Sequence, residues 1–269
     1  MKKFLSKFYV GLIFLFLYMP IIVLMVFSFN TSKSRSVLNG FTLNWYAEVF
    51  KDDAIMAALR NTLLVALLAA AIATILGTLA ALGLSKMKKA PRNIIMQVNN
   101  LPMLNPEIVT GVSLMLLFVY IGKHIGGMEL NFVTLLFAHI TFNVPYVILN
   151  VMPKIKQMDN NLYEAALDLG CKPVQAFFKV VLHEILPGVI SGFIMAFTLS
   201  VDDFVISYFT SGSKSQTLSI VIYSMTRKRI SPKINALSTI MFLTVFAMLL
   251  IVNLWQIRSE KKDKKGAKA

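Results

Sequence analysis

The sequence predicts an all-α, polytopic membrane protein, and three observations carry the prediction. Of the 269 residues, 57% are hydrophobic and only 15% charged, whereas soluble domains are about a quarter charged and somewhat under half apolar. The mean hydropathy is +0.69. Six apolar stretches approach the roughly 20 residues that a helix needs to cross a bilayer, and none alternates as a strand would. This composition excludes a disordered chain and argues against an ordinary soluble enzyme.

The six stretches are Phe8–Phe29, Thr62–Leu84, Leu104–Ile121, Phe132–Met152, Ile185–Phe209 and Ile234–Ile257. The first follows Lys2, Lys3 and Lys7, as a secretory signal would. It is longer than a signal core and no small-x-small site follows it, so it reads as a retained helix. The connection from Asn30 to Asn61 carries Trp45, Tyr46 and Phe50, which predict a short amphipathic element at the membrane interface. The chain therefore divides into residues 1–57 (first helix and outer loop), 58–257 (the transmembrane body) and 258–269 (a basic tail). No repeat at solenoid periods is evident.

The formal charge of +14 would suggest nucleic acid as a partner in a soluble chain. Here its distribution sets orientation instead. Seventeen Lys and Arg fall before the first span, in the second and fourth connections and after the last span, against ten on the other side. The positive-inside rule then places both termini in the cytoplasm. Arg227, Lys228 and Arg229 run against that bias, and the tail lysines 261, 262, 264, 265 and 268 outweigh them. Membrane lipid, not nucleic acid, is the expected surroundings.

The inner segment 159–187 is too polar to span and too short to form a domain. Asn161 reads as an N-cap, with Glu164 at the third position of a capping box. Leu162, Ala165 or Ala166, and Leu169 recur on one helical face. Gly170 supplies a C-terminal stop and Pro173 opens a second short helix, with Phe177, Val180 and Val181 on its apolar side. By itself this pattern fits a stabilised loop. The combination Glu164-Ala165-Ala166, three residues, then Gly170 and a closing apolar helix resembles the EAA loop of permease subunits in ATP-binding-cassette importers.

Further segments extend that resemblance over most of the chain past residue 60. They include Asn61-Thr62, Asn105-Pro106-Glu107-Ile108, the run from His139 to Pro145, Ser200-Val-Asp-Asp203, the run from Ile222 to Met225, Ser231-Pro232 and Asn235-Ala236-Leu237. Together they resemble the C-type permease subunit of spermidine/putrescine importers. One departure is His183, where the family's Ile-x-Leu-Pro ends in proline, and it bears on how span five leaves the loop. The resemblance implies a type I, MetI-like permease fold over 58–257. It also implies a coupling role for Glu164, Ala165, Ala166 and Gly170 in a groove of a separate ATPase. The implied partners are a second permease subunit, two ATPase subunits and an extracytoplasmic substrate-binding protein. The chain itself would be no enzyme and hold no cofactor, with ATP and Mg on the ATPase.

Acidic residues within spans are costly, about 2.5–3.5 kcal/mol each at a helix centre on insertion scales. Asp202 and Asp203 lie in the middle or outer half of span five, and Glu107 follows Asn105-Pro106 where span three begins or breaks. Such carboxylates line a polar pathway for a cation, with Tyr208, Phe204 and Tyr146 available for cation–π contacts. Alternatively they cap or hinge a broken helix, or bind a lysine of a partner subunit. Small residues recur every fourth position at Ala69, Ala73, Gly77 and Ala81, and at Gly188, Gly192, Ala196 and Ser200, and predict close helix packing.

Other chemistries lack their residues. The string Gly212-Ser-Lys-Ser215 is no phosphate-binding loop. His124, His139 and His183 have no zinc spacing, and Cys171, the one cysteine, has no disulfide partner. The predicted function is a permease subunit of an ATP-driven polyamine importer. Alternatives are an importer of another small solute, such as an organic phosphonate or ferric ion, or a membrane enzyme or assembly factor. Anionic cargo would require basic pathway residues, which spans two to five almost lack.

Overall fold

The computed structural model describes residues 2–32, 37–104, 106–126, 129–159, 161–227 and 232–266, without the side chains of 2–6, 125, 248 and 251–266. Asn105, Lys228, Arg229, Ser231 and Lys268 thus lie outside the described residues. Contacts group the chain into two compact units, residues 1–57 with 221–269, and residues 58–220.

In the first unit α1 (Lys2–Ser28) leads to α2 (Asn44–Phe50), and α12 (Pro232–Gly266) packs against both. The short helix predicted around Trp45 is present, with Trp45 turned into the chain. It is buried, and its indole N–H donates to the Asn30 carbonyl at 2.8 Å. Tyr46 shares a 2.6 Å hydrogen bond with Ser28. An indole N–H finds a partner when buried, and these bonds hold α2 on the end of α1. Asp52 precedes α3 (Asp53–Ser85), accepts the amides of Ala54 and Ile55, and pairs with Lys233 at the start of α12.

The second unit holds the rest of α3, then α4 (Lys89–Leu104), α5 (Glu107–Ile125) and α6 (Phe132–Gln157). It continues with α7 (Asn161–Asp168), α8 (Pro173–Ala176), a π turn (Phe177–Val181), α9 (Leu182–Asp202), α10 (Val205–Thr210) and the first turn of α11 (Leu218–Arg227). α6 is its centre, with more of its residues buried than exposed. Val147 on α6 meets both small-residue stripes. A Cβ added at Gly77 of α3 would lie 2.7 Å from Val147 Cβ, and one at Gly192 of α9 would lie 3.2 Å from Val147 Cγ1. Ala69, Ala73, Ala81, Gly188, Ala196 and Ser200 are all buried. The stripes serve packing within the chain, since glycine lets backbones approach where lipid offers no hydrophobic drive between helices.

Among the described residues, five helices are long and apolar enough to cross a membrane: Lys7–Ser28, Asp53–Ser85, Glu107–His124, Phe132–Gln157 and Pro173–Asp202. The sixth predicted stretch lies in α12, apolar over Pro232–Ala247. Several boundaries differ from the sequence reading. Span two starts nine residues earlier, because Asp52 caps α3. Residues 89–104, read as part of a connection, form the amphipathic helix α4, and Leu104 ends it instead of opening span three. Span five is interrupted: α9 ends at Asp202 and a new helix starts at Val205.

Gly77→Ala is expected to destabilise the detergent-purified protein by about 1–3 kcal/mol through overpacking, with part of the loss recovered in Gly77→Ala/Val147→Ala. Thermal melting of both variants is the measurement, and an unshifted melting temperature for the single variant would count against the contact. The Lys233 hydrogen bond holds the Asp52 carboxyl below the usual aspartate range, against a smaller opposing effect of burial. A carboxyl with a lowered folded-state pKa adds stability above its unfolded value and loses it as pH falls through the folded one. Melting between pH 6 and 3 should therefore fall less steeply in Asp52→Asn. The effect should be small, since the pair is partly exposed to screening.

Candidate functional site

Two regions carry the predicted site residues, the interruption of span five and the turn at α7. At the interruption Asp203 takes an extended conformation (φ −59°, ψ 128°). Its carboxylate accepts the amide of Ile206 at 3.3 Å through Oδ1 and that of Ser207 at 2.7 Å through Oδ2. A break frees backbone amides that hydrocarbon cannot satisfy, and Asp203 supplies the acceptors as an N-terminal cap does.

α6 supports this break with its own polar residues. His139 Nε2 lies 3.0 Å from Ser207 Oγ and 3.5 Å from Asp203 Oδ2. Asn143 donates to Ser200 Oγ at 2.7 Å, and Thr134 Oγ1 donates to the Thr210 carbonyl at 2.8 Å. His139 and Asn143 are one helical turn apart on α6, and both are fully buried. In the sequence His139 stands as one of three dispersed histidines and as the start of a family-like run, and neither points to this role. The signal available was the i, i+4 pair of polar side chains inside an otherwise apolar helix.

Asp202 is placed differently. It is exposed, as is Glu107 in the first turn of α5. The two carboxylates lie close enough to repel each other, and Glu107 also lies within electrostatic reach of the Tyr146 hydroxyl. α5 is brought there by Gly111, where an added Cβ would sit 3.0 Å from Phe209 on α10. Tyr208 is 52% exposed on α10, with its ring 5.6 Å from Phe204 and 5.5 Å from Phe209. The structure thus leaves Asp202 and Glu107 exposed within electrostatic reach of each other, and turns Asp203 inward to a helix-capping position. An exposed pair of carboxylates with adjacent phenol and phenyl rings can attract a cation and replace part of its hydration.

The second region is a tight turn. α7 ends in paired bonds from Gly170 N to Leu167 O at 2.9 Å and from Cys171 N to Ala166 O at 3.1 Å. That is the Schellman pattern, and Gly170 takes φ +85° as it requires. Glu164, Ala165, Leu162 and Leu169 face outward, whereas Ala166 is buried. The side chain that accepts a free amide at the start of α7 is Asp159, from Asn161 N at 3.0 Å, so Asn161 lies inside the helix and is not its cap. The predicted second short helix is likewise not separate. Leu182 N bonds Phe177 O, closing a π turn that joins α8 to α9, and helix runs unbroken from Pro173 to Asp202. His183, unlike a proline, keeps its backbone N–H, so the ladder continues through it. Among the described residues no three His, Cys, Asp or Glu side chains gather as a metal would need.

This geometry has counterparts in known proteins. Residues 73–262 match the family described as binding-protein-dependent transport system inner membrane component. The chain is 38% identical to the putrescine transport system permease protein PotI of Escherichia coli K12, over 93% of this chain and 89% of that one. It is 35% identical to the spermidine/putrescine transport system permease protein PotC of Haemophilus influenzae, over 94% and 96%. A bacterial ABC transporter involved in the import of the acidic polysaccharide alginate has the same fold, with a TM-score of 0.73, 15% identity and 95% of each chain covered. The chain belongs to the family of binding-protein-dependent transport system inner membrane components and is a multi-pass ABC permease.

Proposed function

We propose that the chain is a permease subunit of an ATP-driven polyamine importer, with Asp202 and Glu107 as cation-attracting groups on the translocation pathway. The observation that carries this reading is an exposed pair of carboxylates at an interrupted span. Exposed acids within apolar segments call for a partner charge or a polar cavity, and a flexible dication or trication supplies such a charge. The names of PotI and PotC support the choice of cargo.

In this reading the chain lines the pathway with a second permease subunit, and Tyr208 and Tyr146 present aromatic faces to the cargo. The family's description supports an extracytoplasmic binding protein as donor. ATP hydrolysis resides on two separate ATPase subunits, where ATP and Mg bind. The outward-facing Glu164 and Ala165, with Ala166 and the Gly170 turn behind them, form the surface of α7 that seats in an ATPase groove. Closure of the ATPase dimer moves α7, and the unbroken helix from Pro173 to Asp202 carries the motion to the break. The excess of positive charge on one side supports cytoplasmic termini.

Uptake of labelled spermidine and putrescine by vesicles holding the assembled complex tests the pathway. Asp202→Asn should lower uptake roughly ten-fold, the loss of one charge-assisted contact, without changing the melting temperature. Asp203→Ala should instead lower stability by about 0.5–2 kcal/mol, as loss of a cap does. Equal uptake by Asp202→Asn and the parent would reject the pathway role. For coupling, Gly170→Val forces a β-branched residue to positive φ at roughly 1–2 kcal/mol. It should abolish the stimulation of ATPase activity by loaded binding protein while the complex still assembles. Retained stimulation would contradict the assignment.

A further inference from the structure

Alongside α7 lies a cavity of about 900 Å³ lined by both basic and apolar side chains. Lys86 after α3, Arg92 on α4 and Lys156 on α6 contribute three cations from three elements, and Phe177, Phe178 and Leu82 are among its apolar lining residues. None of the three cations forms an ion pair with a carboxylate among the described residues. Glu164 is the one acidic residue in the lining. Leu82 belongs to the span-length helix α3, and the two phenylalanines belong to the helical run that continues into α9, so apolar lining residues come from helices of membrane-spanning length.

We propose that this cavity binds the headgroup of an anionic phospholipid, with the phosphate among Lys86, Arg92 and Lys156 and the first acyl carbons along Leu82, Phe177 and Phe178. Basic pockets between transmembrane helices select anionic headgroups, and each Lys or Arg adds about 1 kcal/mol near a membrane surface. The volume lies within the roughly 300–1,000 Å³ range of small-molecule sites. A soluble anion would have no use for the apolar lining, and an acidic protein segment would not follow it along span-length helices. Glu164 opposes the bound phosphate, so the lipid sits against α7 and neutralising that glutamate strengthens the site. None of this depends on the nature of the transported cargo.

Native mass spectrometry of the purified full-length chain in neutral detergent tests the site, with phosphatidylglycerol and phosphatidylcholine as probes. One phosphatidylglycerol per chain should be retained in preference to phosphatidylcholine. Lys86→Ala, Arg92→Ala and Lys156→Ala should each weaken it about five-fold. Arg92→Lys should keep the preference, and Glu164→Gln should tighten binding, an effect that a merely damaged fold cannot produce. Lys88→Ala and Lys89→Ala, outside the lining, should change nothing. Equal retention of the two lipids, or no response to Arg92→Ala and Glu164→Gln, would overturn the proposal. Competition by soluble glycerol phosphate at lipid-like concentrations would overturn it in favour of a free anion. Crosslinking of position 92 to a protein partner, with no lipid retained, would overturn it in favour of a protein contact.

Discussion

The close approach of both α3 and α9 to Val147 is the contact on which the second unit depends. Between helices in lipid there is no hydrophobic gain from association, so packing and buried polar bonds must hold them. Glycine at 77 and 192 leaves only backbone between Val147 and its two neighbours. α6 runs from that contact to the turn at α7, and α9 runs from the turn through the same contact to Asp202. One packing interaction therefore fixes both the position of the coupling surface and the end of the interrupted span.

The interruption itself follows from a second constraint. Backbone groups freed within hydrocarbon have to find partners inside the protein, and the side chain of Asp203 provides two acceptors at once. His139, Asn143 and Thr134 bond the flanking segments from α6 and leave the break little freedom. Two adjacent aspartates thus acquire opposite roles. The one turned inward caps the helix that follows the break, and the one before it stays exposed.

Charge elsewhere follows the same economy. The Lys233–Asp52 pair joins the start of α12 to the cap of α3. Lys86, Arg92 and Lys156 are different, because they converge on a cavity with a single acidic neighbour. Cations without an ion pair among the described residues, set beside apolar residues of span-length helices, suit the amphipathic anion proposed above, and Glu164 in the same lining ties that ligand to α7.

Much of this protein is legible in the sequence. Apolar runs of membrane length mark the spans, because a helix in lipid must satisfy its own backbone and expose apolar side chains over its whole length. The four-residue spacing of small residues marks the packing stripes, and Gly170 marks the turn, because only glycine adopts positive φ without strain. The helix α4 was hidden by its mixed polarity, and the joining of α8 to α9 was hidden because a π turn has no periodic signature. The division of labour between Asp202 and Asp203 was beyond reach of the sequence. Which carboxylate turns inward depends on where the ladder breaks and on His139 and Ser207 approaching from segments about 70 residues apart, and only the tertiary structure sets those distances.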